Sequence, residues 1–226
     1  MRPPLDRREL VRKELARLEA EIALCDRCYG HEPRLPARFE RPGLPPRVLI
    51  IGERPPRAVL SAQGRIGPSC RDGGTRFLTT MLREAGIPVE ETVCGAAALC
   101  RPASRALEKV VPPSVWSREC ASFVAQLVRL TEPRLLVPLG HRALRALKIA
   151  FPQEDSIRQL RFPAMIGRTV QVGSVLVHPL YHTTVRARVT RPEREQRRDW
   201  RRVGRVWEWL ASGERGPLPR SLARPP

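Results

Sequence analysis

The chain is short of the residues that several function classes depend on. Its 226 residues include only five phenylalanines and two tyrosines, too few for an aromatic platform of the kind that stacks single-stranded bases. It has no apolar run long enough to span a bilayer. The opening segment, MRPPLDRREL, lacks the apolar core of a signal peptide, so a soluble cytoplasmic protein is expected. Lysine is nearly missing as well, with Lys13, Lys109 and Lys148 the only ones.

Arginine is abundant. Lys and Arg together number 41 against 23 acids, a formal net charge of +18. Such an excess fits a polyanionic partner, most commonly nucleic acid, and a nucleoid-associated location would follow. The bland reading is a GC-rich genome, which inflates Arg, Ala and Pro together; proline stands at 24.

Segment 47–56, RVLIIGERPP, organises the rest. Residues 48–51 are a continuous apolar run, β-branched at three positions, as in a strand buried on both faces. Gly52 breaks it, and Glu53, Arg54 and two prolines follow at the carboxyl end, where open α/β sheets bind ligands. Before it, Asp6-x-x-Glu9 reads as a capping box for a helix with Val11, Leu15, Leu18 and Ile22 on one face. Residues 29–46 read as a wrapping loop. After it come a Gly-rich loop over 55–74 holding Asp72, a helix that Thr75 would cap, and a strand over 92–99. A helix over 117–130, a strand over 134–139 and a hairpin at 168–172 and 175–177 follow. Thr190-x-x-Glu193 opens an Arg-rich helix.

This alternation predicts a three-layer α/β/α fold, with a mostly parallel four-stranded central sheet and helices on both faces. Residues 1–210 are expected to form one domain, and 211–226 a disordered basic tail. The loops at 52–56, 100–105, 140–142 and 178–182 leave strand carboxyl ends and converge on one cleft.

Six cysteines in a cytosolic chain point to metal, catalysis or burial rather than disulfides. Cys25-x-x-Cys28, Cys100 and Cys120 together suggest a four-cysteine site, for zinc or an iron–sulfur cluster. Cys70 and Cys94 are left over. His178 ends an apolar strand, where it would face the cleft and donate to a developing anion, or else bond to backbone. Glu53 would orient water or bind a ligand edge. Arg186, Arg188, Arg191, Arg194, Arg197 and Arg198 track phosphates or form a solvated helix face; Arg101, Arg105 and His182 are further candidates for DNA contact.

In their order CDRC, VLIIGERPP, GRIGPSCRDGG, FLTTMLREAGI, ALCRP, SRECASFVAQLVRL, PRLLVPLGHRAL and LVHPLYH, the segments resemble the iron–sulfur uracil-DNA glycosylases of families four and five, over roughly residues 10–210. The resemblance implies a 4Fe–4S cluster on Cys25, Cys28, Cys100 and Cys120, bound by the N-terminal helix and loop, with His178 as the pocket histidine. It implies a monomeric hydrolase that cleaves the N-glycosidic bond of a deaminated base such as uracil in DNA, within base excision repair. Glu53 or Asp72 would hold water, and Gly52, Arg54 and Ala96 would shape the base pocket. The departures are Arg54 in place of a glycine, Ala96 where the family reads the base with an asparagine, Leu180 after the His-Pro pair, and no stacking phenylalanine in GRIGPSC. They open the alternative of a catalytically weak or inactive DNA-binding member.

Overall fold

The computed structural model describes residues 6–41, 43, 45–62, 64–213 and 218–223. Helix α1 (Arg7–Leu24) buries Val11, Leu15, Leu18 and Ile22, the expected stripe. Its capping box does not form: Asp6 makes no side-chain cap, and Glu9 pairs with Lys13 one turn on, at 3.1 Å. Two short strands, β1 (Arg34–Pro36) and β2 (Arg38–Phe39), lie within the wrapping loop. Then come β3 (Val48–Gly52), α2 (Arg57–Ala62), β4 (Arg65–Ile66) and α3 (Gly73–Glu84). The stretch expected as one strand over 92–99 is divided into β5 (Thr92–Ala96) and β6 (Cys100–Pro102). Likewise the helix over 117–130 is α4 (Pro113–Glu119) and α5 (Ala121–Thr131), which meet at Cys120. After β7 (Leu135–Pro138), α6 (His141–Ala150) and α7 (Asp155–Arg158), the hairpin β8 (Val170–Val172) and β9 (Val175–Val177) turns at Gly173, whose φ of 58° suits glycine. Helices α8 (Val185–Thr190), α9 (Glu193–Ala211) and α10 (Arg220–Ala223) complete the order.

The central sheet has five strands in the order β5-β3-β7-β9-β8; the first four are parallel and β8 is an antiparallel edge. Leu49 and Ile51 enter one core, and Val48 and Ile50 the other, so each apolar run serves both faces. Helices α1, α5 and α6 cover the first face, α3 and α9 the second. Gly204 of α9 packs directly on α3, since a Cβ there would lie 2.8 Å from the Ala85 carbonyl oxygen. Two small ladders, β1 against β6 and β2 against β4, tie down the wrapping loop.

One further expectation is corrected. Thr190 ends α8 rather than capping α9, whose N-cap is Pro192. The entry to α9 is instead held by buried Asp199, which accepts from Arg191 Nε at 2.8 Å and Nη2 at 2.9 Å. In the segment after α9, Leu218 and Leu222 pack against the second core beside α10, while 214–217 and 224–226 lie outside the described residues. Among the described residues, no helix is long and apolar enough to cross a membrane.

The last parallel strand runs further than its apolar residues suggest. The His178 N–H donates to Leu136 O at 2.9 Å, and the Leu180 N–H to Pro138 O at 3.0 Å. Leu139 and Leu180 then form a parallel bridge. His178 is therefore inside the sheet and fully buried, with Nδ1 2.9 Å from Thr169 Oγ1 and Nε2 without a partner among the described residues. Burial, and then the charge of Arg202, push its pKa down to about 3.

A pH dependence of stability follows. The unfolded chain protonates this imidazole near its ordinary value of about 6.5, whereas the folded protein keeps it neutral. The contribution is whole above about 6.5 and is lost as pH falls toward the folded value, by about 1.4 kcal/mol per pH unit. Urea unfolding from neutral pH down to about pH 4.5 should show this slope, and His178→Gln should remove about one proton's worth of it. An identical slope in the variant would contradict the assignment.

Candidate active site

The parallel strands end level with one another. Gly52 of β3 pairs with Ala96 of β5, and Ile51 with Pro138 of β7. The bridge between Leu139 and Leu180 brings the fourth strand to the same height. Over this edge lies a cavity of about 830 Å³. It is lined by the loop after β3, by Ala96, by residues 139–142, by residues 181–184 and by the start of α3.

Two histidines, His141 and His182, line this cavity, and His178 does not. The strand continues past the end of its apolar run, so the histidine expected to face the cleft, His178, lies in the sheet, and the one four residues later reaches the cavity. A signal for the cavity-lining position was present: Pro138-Leu139-Gly140-His141 and Pro179-Leu180-Tyr181-His182 are the same pattern on neighbouring parallel strands. Both histidines line the cavity. The Thr184 N–H donates to His182 Nδ1 at 3.3 Å, which leaves the proton of the neutral ring on Nε2. Burial lowers the pKa of His182, and the carboxylates of Glu53 and Asp72 act in the opposite direction.

Both predicted carboxylates line the cavity. Glu53 Oε1 is ion-paired with Arg142, a partner the sequence did not suggest. Glu53 Oε2 takes no hydrogen bond from the described residues. Asp72, rather than Thr75, is the N-cap of α3: its Oδ1 accepts from Gly74 N–H at 2.9 Å and Thr75 N–H at 3.2 Å, and its Oδ2 from the Thr75 hydroxyl. Its charge is thus seated on the positive end of that helix.

Gly52, Arg54 and Ala96 line the cavity as expected. Arg54 turns away from Glu53. Its Nη2 donates to the Tyr29 hydroxyl at 2.7 Å, and its guanidinium lies 5.8 Å from the centroid of Trp116. Arg142 approaches the same ring at 5.9 Å. Ala96 lines the cavity with a methyl side chain, which has no polar atom with which to read a base edge. Phe162 and Tyr181, with centroids 4.9 Å apart, form an aromatic pair in the cavity wall that the sequence left unnoticed.

The predicted DNA contacts separate. Arg186 lines the cavity and is exposed. Arg101 lines it too, but its Nε donates to Pro55 O at 2.6 Å and its Nη1 to Glu108 at 3.0 Å, so it clasps two loops together. Arg57 donates to the same Glu108 oxygen, at 3.0 Å. Arg105 is exposed and outside the cavity. Arg188, also outside it, pairs with Glu193 and stacks 4.8 Å from the centroid of Phe77.

The four cysteines expected to bind a cluster come from the end of α1, from β6 and from the junction of α4 and α5. Burial pushes the thiols of Cys28 and Cys100 up to about 12, and the nearness of the other cysteines adds to both shifts. Cys120 is raised by burial first and by Cys25 as well. The thiols therefore share one electrostatic neighbourhood, and an all-thiolate donor set suits iron–sulfur ligation. As they stand, no group of three or more His, Cys, Asp or Glu among the described residues is arranged to hold a metal ion. Cys70 and Cys94 line the cavity, and burial raises both.

Comparison with known proteins supplies the family. No curated protein matches the chain. A family model, described as the Uracil DNA glycosylase superfamily, matches residues 41–210, which span the whole central sheet and its cleft but not Cys25 and Cys28. A parallel sheet of this order, a cavity over its carboxyl edge and a match across three quarters of the sequence lead to one assignment: the chain belongs to the uracil DNA glycosylase superfamily.

Proposed function

We propose that this protein hydrolyses the N-glycosidic bond of a deaminated base, such as uracil, in DNA, a step of base excision repair. The observation that carries the reading is His182: a neutral imidazole with its proton on Nε2, in a cavity that also holds two carboxylates. The target base must leave the stack to enter such a pocket. As the glycosidic bond breaks, negative charge grows on the base and positive charge on the sugar. His182 Nε2–H donates to the developing anion. Glu53, held at Oε1 by Arg142, has Oε2 available to accept from the attacking water. Asp72 is a positioning residue, fixing the start of α3 beside the cavity and countering the positive end of that helix.

A 4Fe–4S cluster on Cys25, Cys28, Cys100 and Cys120 belongs to the same proposal. Four thiolates from these cysteines would supply the full ligand set of such a cluster. It would be structural, joining the end of α1 to β6 and to the junction of α4 and α5. A second reading, a DNA-binding member without catalysis, is favoured by one observation: Ala96 lines the cavity and offers no side-chain amide to recognise the base.

Duplex oligonucleotides carrying uracil, hypoxanthine or xanthine, treated with alkali to reveal abasic sites, distinguish the two. The wild type should release at least one of these bases. His182→Ala should lose about 100- to 1,000-fold in rate, and Glu53→Gln about 100-fold or more, while His178→Gln retains activity. No abasic product on any substrate would favour the binding protein. Loss in His178→Gln with none in His182→Ala would overturn the histidine assignment.

The cluster has its own test. Protein purified anaerobically should contain about four irons and four sulfides per chain. Cys100→Ala should lose both and melt at a lower temperature. Iron-free wild type, or a variant with full iron content and an unchanged melting curve, would contradict the ligand set.

A further inference from the structure

We infer that the groove between the end of α3 and the outer face of α9 is a second binding surface for the phosphate backbone of nucleic acid, separate from the cleft. The close approach of Gly204 to Ala85 brings the two helices together and forms the groove, about 580 Å³ in volume. Arg198, Arg201, Arg202 and Arg205 line it from α9, at the three- and four-residue spacing that places them on one helical face. Arg83 lines it from α3.

Of the neighbouring arginines, Arg188, Arg191 and Arg197 are each engaged by acids: Glu193 for the first, Glu195 and Asp199 for the second, Glu84 and Glu193 for the third. Arg186 and Arg194 have no acidic partner among the described residues, but neither lines the groove. In the groove, only Arg202 has an acidic partner, Asp199 at 3.5 Å. Arg83, Arg198, Arg201 and Arg205 are exposed and form no hydrogen bond or ion pair with described residues. Of the two acids lining the groove, Glu84 is already taken by Arg197. Like charges held this close repel, and a polyanion relieves that repulsion while releasing its own counterions.

Two features select a phosphate backbone over an acidic protein. The groove presents no large apolar side chain, and protein interfaces are anchored by such residues. From Arg198 to Arg205 the helix rises about 10 Å, the axial length over which one strand of a duplex carries about three phosphates, one per ~3.4 Å of duplex axis. The start of α3 touches the cleft, and Arg83 lies about 16 Å further along the same helix. This surface is therefore on the flank of the molecule, distinct from the cavity mouth.

Because it rests on the nucleic-acid half of the proposed function and not on catalysis, the test reads binding first. The affinity of full-length protein for an undamaged duplex is measured by fluorescence anisotropy across salt concentrations. The triple variant Arg198→Ala/Arg201→Ala/Arg205→Ala should bind more weakly, and its slope of log affinity against log salt should be shallower by about 2 to 3. Single-turnover base release from a short oligonucleotide at saturating enzyme should stay within about twofold of wild type, since these residues are remote from the cavity. An unchanged salt slope in a variant of normal melting temperature overturns the second surface alone. Polyglutamate competing as well as DNA does the same, in favour of an acidic protein. A wild type that binds no DNA overturns both the surface and the proposed function.

Discussion

Much of the site depends on one hydrogen bond, 2.7 Å long, from the Gly140 N–H to the Leu180 carbonyl. It closes the bridge between Leu139 and Leu180 and carries the parallel pairing three residues beyond Val177. With that extension, His178 points into the core beside Thr169, and His182 emerges at the carboxyl edge together with His141. Without it, the edge would be uneven, and the cavity would lose the wall formed by residues 181–184. The chemistry proposed for His182 is thus a consequence of register. An imidazole four residues earlier is buried in the sheet, and burial keeps it neutral.

The arginines divide into internal clasps and free surface charge. Arg57 and Arg101 hold the loop after β3 to the segment after β6 through Glu108 and nearby carbonyls. Arg54 connects that loop to Tyr29, close to the CxxC segment. Arg191 fixes the start of α9 on Asp199, a buried carboxylate that would be costly to leave unpaired. Net charge alone cannot distinguish these roles. Once the clasps are set aside, the unpaired positive charge on α9 gathers on one face of the helix, beside Arg83.

The α/β fold was legible because its signals are local. Apolar runs of four to five residues marked the parallel strands, and the three- and four-residue stripes of α1, α3 and α9 marked the layers that cover them. The loops after β3 and β7 were found by the same means, and Glu53, Asp72, Arg54 and Ala96 do line the cavity. The end of β9 was not legible, because Pro179 reads as a stop. Proline is tolerated there because its missing N–H falls on the β8 side, where pairing has already ended at Val177, while His178 and Leu180 bond to β7. Pairings distant in sequence were equally hidden: Glu53 with Arg142, and Arg54 with Tyr29. The caps at Asp6 and Thr190 were misjudged because a capping-box pattern can be satisfied by other local bonds, such as the pair of Glu9 with Lys13.

The central claim is that His182, not His178, meets the substrate. Nitrogen-detected NMR of both imidazoles, before and after addition of a duplex bearing a stable abasic-site analogue together with free uracil, tests it directly. His182 should start as the tautomer protonated at Nε2, and its resonances should shift on addition, while those of His178 stay in place. A shift confined to His178 would contradict the account.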